Sequence, residues 1–517
     1  MSGFLADDQI LERKTMSGKS SRRAFLRDTT VGAALAGTMG SFSTRGFAAQ
    51  SATGEAVVPL HPSIEPLVRL LEETPRDRII EIGAKKIRDG TSYRDLLAAL
   101  LLAAARNVEP RPTVGFKFHS VLVAQSIHLA STALPKEKRW LPVFWGLDYF
   151  KATQAEDERK RGWTMKPVDE SALPKAENAV DAFTDAMENW NEPAADAAIA
   201  ALVRTAKPAD IWPLFFRYGG RDYRSIGHKV IDVANTHRVL GVIGWKHAEP
   251  ALRSLTYALL MHDDGNPAHR DASADRPWRR NQELVKEIPA DWQDGKVDRQ
   301  ATLSLLHTLR AGSENDAADK VVELLSKGTA SQSIWDALFL GAGELVIRQT
   351  GIIALHSVTT TNAFHYAFQA ARDDTTRRLI LLQNASFLPM FRQSMGGRGT
   401  IIDFALDELQ ASDNESVEGI FDLVQRNSMR AARHTLAYFQ ADRPIEPWVN
   451  KARQLVVRKG TGVHDYKFGC AVLEDANNIS SEWLGHYLAA ATFLLQGAGQ
   501  SDNPLIQKAM RVLENSA

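Results

Sequence analysis

This chain is nearly without cysteine. Cys470 stands alone among 517 residues, so there is no internal disulfide framework and no cysteine-rich zinc or iron–sulfur site, and any bound metal must be held by nitrogen and oxygen. An excess of either charge is also missing: 62 basic residues balance 62 acidic ones, which leaves no strongly basic face to attract nucleic acid. No run alternates apolar and polar residues between turn signals, which argues against a major β-sheet. The G-x-S-x-G elbow, the phosphate-binding P-loop and the H-E-x-x-H helix are absent too, so ordinary hydrolase and nucleotide-binding signatures give no lead.

What is there is an ordinary globular composition, 44% hydrophobic and 24% charged, in a chain long enough for one large domain or two to three smaller ones. Helical runs broken by Pro and Gly dominate it. YRDLLAALLLAAAR (93–106) combines the strongest helix formers with Asp95 in the first turn, and predicts a buried helix. Residues 156–175 are charged and punctuated by proline, which predicts a surface loop, and 416–439 read as one helical segment. The aromatic stretch RWLPVFWGLDYF (139–150) fits a packed core corner better than a ligand-lining wall. The expected fold class is all-α: a large irregular array of helix pairs, solenoid-like or closed around a central cavity. Residues 50–517 read as a single large domain, with the polar stretch 262–299 as the place for a boundary or long excursion.

The N-terminus addresses the protein. SRRAFLR (21–27), a mild apolar stretch over 29–42 and small residues at Ala48 and Ala49 resemble a twin-arginine export signal, so residues 1–49 are expected to be cleaved. The apolar stretch is too short and glycine-rich to span a membrane stably. The expectation is a periplasmic protein that meets the twin-arginine export machinery, keeps no stable membrane span after cleavage and binds no nucleic acid. Proteins exported folded often carry a cofactor.

Four stretches organise the rest: HSVLVAQSIH (119–128), HKVIDVANTH (228–237), HSVTTTNAFH (356–365) and HDYKFGC (464–470). The first three share His-x-Val and a second histidine nine residues on, and the leading histidines recur at intervals of 109, 128 and 108 residues. This is quasi-repetition. At about 100° per residue, nine steps turn a helix by roughly half a circle, so each element offers one histidine per face. His237 shares an apolar stripe with Val230, Val233 and Leu240 and reads as a core histidine. His228, one turn before Asp232, reads as facing a site.

If His119, His228, His356 and His464 meet, imidazole nitrogens on four separate helices make a preorganised site for iron, copper, zinc or manganese. Asp232 would join as a ligand or orient an imidazole, and Lys467, one turn after His464, would face negative charge. The alternatives are acid–base histidines in a metal-free pocket and histidines that only pack. Gly396-Gly-Arg-Gly399 lacks the strand and helix that a dinucleotide fingerprint needs. His262, Asp263 and His269 lie in a polar loop and read as solvated, and Cys470 reads as a buried thiol.

Taken in order, FHSVLVAQSIHLA, GHKVIDVANTHRVLG with HAEPALRSLTYAL, ALHSVTTTNAFHYAF, and GVHDYKFGCAVLEDA with WLGHYLAAATFLL resemble the questin oxidase-like family across most of the mature chain. The resemblance implies an all-helical oxidoreductase; a fungal member opens an anthraquinone ring in a Baeyer–Villiger manner with molecular oxygen and reduced nicotinamide. It carries His119, His228, His356, His464 and Lys467 as motif positions and leaves their roles open. Export departs from that picture, since NADPH is not at hand outside the cytoplasm. The expectation is therefore an exported, oxygen-dependent oxidoreductase acting on an aromatic or quinone-like small molecule, with a mononuclear iron or copper held by the histidines. The alternative is a non-catalytic helical binding protein or scaffold with Phe144, Trp145 and Tyr149 along a ligand groove.

Overall fold

A computed structural model describes residues 56–110, 119–160, 162–263 and 265–514. The proposed export signal lies outside the described residues. Among those residues there are 22 α-helices and no strand beyond an isolated bridge between Lys296 and Thr329. The all-α expectation holds. The order begins α1 (Glu65–Glu73), α2 (Ile79–Arg88), α3 (Tyr93–Asn107), α4 (His119–Thr132) and α5 (Leu141–Lys160). It continues through α6 (Ala179–Glu188), α7 (Glu192–Thr205), α8 (Pro208–Gly219), α9 (His228–Ile243) and α10 (Ala248–Leu259). Next come α11 (Arg276–Leu284), α12 (Arg299–Ala311), α13 (Glu314–Ser326), α14 (Ser331–Arg348), α15 (Ile352–Ala370) and α16 (Asp374–Met395). The last are α17 (Val417–Leu423), α18 (Ser428–Gln440), α19 (Ile445–Lys459), α20 (Val463–Asp475), α21 (Ser481–Ala491) and α22 (Pro504–Glu514).

Side-chain caps mark many starts, each satisfying a backbone N–H that the helix itself leaves unpaired. Ser92 accepts from the Asp95 N–H and Asp373 from the Thr376 N–H. α3 is buried almost all round, as its composition predicts, and each fully buried leucine in it contributes about 2 kcal/mol. Its Arg106 is buried as well, and its guanidinium is neutralised by Glu65 and Glu72. Two local expectations fail. Residues 156–160 continue α5 instead of opening a loop; Asp157 is buried in this last stretch, where its carboxylate accepts from the Glu109 and Trp163 N–H groups. The 416–439 segment divides into α17 and α18, since the Asn427 side chain caps a new helix by accepting from the Arg430 N–H. Within 262–299, α11 packs against α13 and α16.

Four helices occupy the centre. α4 packs on α9 and α20, and α15 packs on the same two, closing a ring of four. The other helices form a shell: α3 and α5 lie on α4, α8 on α9, α14 and α16 on α15, and α19 on α20. All four central helices run the same way. Residues ten positions after each leading histidine meet in one layer: Glu474 binds Arg238, the Arg238 guanidinium lies 3.8 Å from the Tyr366 ring centre, and Leu129 lines a pocket with Arg238 and Glu474.

Candidate metal centre

The four leading histidines converge at the heads of these helices. His119 and His228 begin α4 and α9, His464 is the second residue of α20, and His356 is the fifth of α15. All four are buried. Their rings form a closed square with centre-to-centre distances of 4.9 Å (His119–His228), 4.3 Å (His228–His356), 5.1 Å (His356–His464) and 4.8 Å (His119–His464). One ligand nitrogen from each lies within 4.8 Å of every other. Bonds of ~2.0–2.1 Å to one ion would place opposite nitrogens up to about 4.2 Å apart, so the ring is a few tenths of an ångström from an ion-centred geometry.

Backbone carbonyls fix two of the tautomers. The His228 Nδ1 lies 2.6 Å from the Ser225 carbonyl oxygen and the His356 Nδ1 lies 2.7 Å from that of Ile352. A carbonyl only accepts, so both Nδ1 atoms carry hydrogen. The two Nε2 atoms are then lone-pair bearers in the neutral rings, and they stand 3.0 Å apart. The His119 Nε2 is 2.9 Å from the same His228 Nε2. Facing lone pairs repel unless a proton or a metal ion lies between them. Protonation is opposed by burial, which holds His228, His356 and His464 well below the usual histidine value, with Lys467 adding repulsion at each.

A strained turn delivers the Ser225 carbonyl. Ser225, Ile226 and Gly227 all have positive φ, at 57°, 48° and 79°, a region that costs an Ile of order 1–3 kcal/mol. Gly227 is required twice over, since a Cβ there would fall 2.1 Å from the Thr360 Oγ1 on α15. Strain of this kind persists where the surroundings over-determine it. Here it seats α9 against α15 and fixes the His228 ring.

The carboxylate and the lysine have different places from the imidazoles. Asp232 is buried on α9 but stands outside the four-histidine group. The Ser225 carbonyl, not Asp232, holds the His228 Nδ1, because Ser225 sits in the turn directly before the ring whereas Asp232 points one turn further along. Asp232 accepts from the Thr236 hydroxyl at 3.3 Å, and burial pushes its carboxyl up to about 7 against Thr236 and Lys467. Lys467 is 3% exposed and its Nζ has no hydrogen-bond partner among the described residues. Burial pulls it down to about 7, opposed by Asp232.

Side chains fill most of the centre where the sequence suggested a cavity. Between the four helices remains a compartment of about 20 Å³ that includes Lys467, Ile231 and Thr359 one turn from the ring and Arg238 and Glu474 at its far end. It adjoins a surface groove of about 330 Å³ walled by Leu129, Ala133, Val456 and Leu473; Leu129, Cys470 and Glu474 border both.

Neither compartment nor groove was visible in the linear sequence. The signal was present in the register, since positions +3, +6 or +7, and +10 from each leading histidine share one helix face. Phe144 and Trp145 are buried, and Trp145 stacks on Tyr149 and Tyr466 at 5.1 and 4.4 Å between centres, which is a core corner. Cys470 donates to the Ser126 carbonyl and burial pushes its thiol up to about 12; it stands outside the four-histidine group. Gly396–Arg398 ends α16 without a preceding strand. No described helix is long and apolar enough to cross a membrane. No protein-family model matches this chain, and no curated protein or solved structure is significantly similar to it.

Proposed function

We propose that His119, His228, His356 and His464 hold one transition-metal ion, and that the chain is an exported oxidoreductase that uses oxygen on an aromatic or quinone-like substrate. The observation that carries the metal reading is the 3.0 Å approach of the His228 and His356 Nε2 atoms, whose hydrogens are both committed to backbone carbonyls. An all-nitrogen set suits iron, copper or zinc, and the oxidoreductase reading calls for one of the first two. Bound there, such an ion would supply one-electron and Lewis-acid chemistry. The chain's own contribution is to orient four lone pairs at one point, to exclude bulk water from them, and to place the Lys467 amine one turn away for negative charge that develops beside the ring. The ordered motifs that resemble the questin oxidase-like family support the oxidoreductase class, and the signal-like residues 21–49 support the periplasm. No role for NADPH follows from these residues.

Elemental analysis of the wild-type chain beside His228→Ala and His356→Ala tests this. Near-stoichiometric iron or copper, lost in both variants, followed by substrate-dependent oxygen uptake is the expected result. A wild-type protein that neither carries nor takes up iron, copper or zinc would end the metal reading. The groove of about 330 Å³ favours a second reading, a binding protein without turnover. Saturable uptake of apolar small molecules by a protein indifferent to the ring substitutions would decide for it.

A further inference from the structure

The compartment beside the ring has an unmet chemical demand. Lys467 lines it, and its buried Nζ lacks an acceptor among the described residues. Leaving a buried amine or ammonium unpaired costs several kcal/mol in general, and a neutral Met or Leu would fill the same volume without that cost. Asp232 acts on Lys467 through space without a hydrogen bond. The Gln125 amide also lines the compartment, and its oxygen has no partner; turned about, it offers N–H. Four neutral imidazoles bring no negative charge to a cation, and the heads of four parallel helices bring the positive ends of their dipoles. A loaded ring would therefore leave a buried excess of positive charge. The available volume, about 20 Å³, exceeds the ~10–15 Å³ one water needs, which limits an occupant to a very few atoms.

We propose that this compartment is a binding site for one small monovalent anion, of halide to azide size, held by the Lys467 Nζ one turn from the histidine ring. The charge argument rests on the metal reading; the orphaned Lys467 donor stands without it. The anion reaches the site from the surface groove, past a polar collar in which Glu474 accepts from Arg238 and, at 2.8 Å, from the Asn362 amide. Of the collar residues, Glu474 is the one with appreciable solvent contact, its side chain 29% exposed against 7% for Arg238.

Azide is the probe, titrated by calorimetry and followed by its infrared band, into full-length protein in zinc-loaded and metal-free forms. The wild type should bind one azide. Lys467→Met and Lys467→Gln should each weaken binding by about tenfold or more, as expected for loss of one charge-assisted hydrogen bond. Lys467→Met should also raise the denaturation midpoint of the metal-free protein, because the orphaned amine is gone, with the zinc content unchanged. Equal azide affinity in the variants, or no saturable azide binding by the wild type, overturns the proposal: the compartment then holds water between Lys467 and Gln125. A lowered midpoint in Lys467→Met overturns it as well, since the lysine is then a packing residue. Zinc stoichiometry in the wild type against His228→Ala judges the metal reading separately. If zinc does not bind, lysine-dependent azide binding by the metal-free protein still decides the anion site.

Discussion

Helices α4, α9 and α15 each carry two histidines nine residues apart, and the two sets meet opposite fates. The inner set, with His464 from α20, turns ring nitrogens toward one another. Each outer histidine has found other company. The His128 Nδ1 lies 3.1 Å from the Tyr93 hydroxyl, the His237 Nδ1 lies 2.6 Å from that of Tyr366 with Trp212 against its ring, and His365 packs between Trp335 and Phe339. Burial alone does not separate the sets: His128 and His237 are half-buried, but His365 is 5% exposed against 6% for His119. What separates them is what each ring faces: His128 and His237 meet a tyrosine hydroxyl and His365 meets two aromatic rings, whereas the inner rings meet one another.

The largest effect that would break the comparison is on metal content. His228→Ala should take the metal from near-stoichiometric to background by elemental analysis, while His237→Ala and His365→Ala should leave it intact. Loss of metal in all three would make the two sets equivalent. Next in size is Gly227→Ala. A methyl group against Thr360 in a positive-φ turn should lower stability by about 2–4 kcal/mol, read from the denaturant midpoint, and should weaken metal binding because His228 moves with the turn. His237→Ala, which empties a pocket against Trp212 and Phe216, should cost about 2 kcal/mol with full metal retained.

The smallest expected effect concerns acid. Burial lowers His237 and His365 to about 4, helped by the Arg238 charge, whereas the unfolded chain titrates near ~6.5. Between those values the unfolded state takes up protons that the native rings refuse, so stability is lost as pH falls from about 6.5 to about 4 and the loss levels off below. His365→Gln should flatten that limb in thermal midpoints measured across the range. An unchanged slope would show that other groups carry it.

Much of this was legible in the chain. The His-x-Val repeats named three ring members and the matching interval of 108 residues the fourth, His464; the nine-residue spacing put His237 on the far face, and helix formers with proline breaks set the fold class. Three features were not legible, each for a physical reason. The ring geometry depends on which way distant helices run, and periodicity within one helix carries no sign of direction relative to another. The Ser225 carbonyl holds His228 through a turn whose left-handed residues include Ile226, which local propensity argues against. The roles of Lys467 and Asp232 depend on what faces them from α4 and α15, and sequence spacing along their own helices could place Asp232 no closer than the second turn.

The shared direction of the four central helices has a consequence for the order of events during synthesis. A helix that starts at the ring ends far from it, so the chain must climb back before the next can begin, and the intervening shell helices make those returns. The last ligand, His464, arrives only with α20, after nearly the whole shell exists. Nascent chain on the ribosome can form α4, α9 and α15 and still present an incomplete set of lone pairs. Completion of the four-nitrogen set, and with it any ion capture there, is thereby tied to completion of the polypeptide, and a chain truncated before α20 would leave the centre unfinished however well its earlier helices fold.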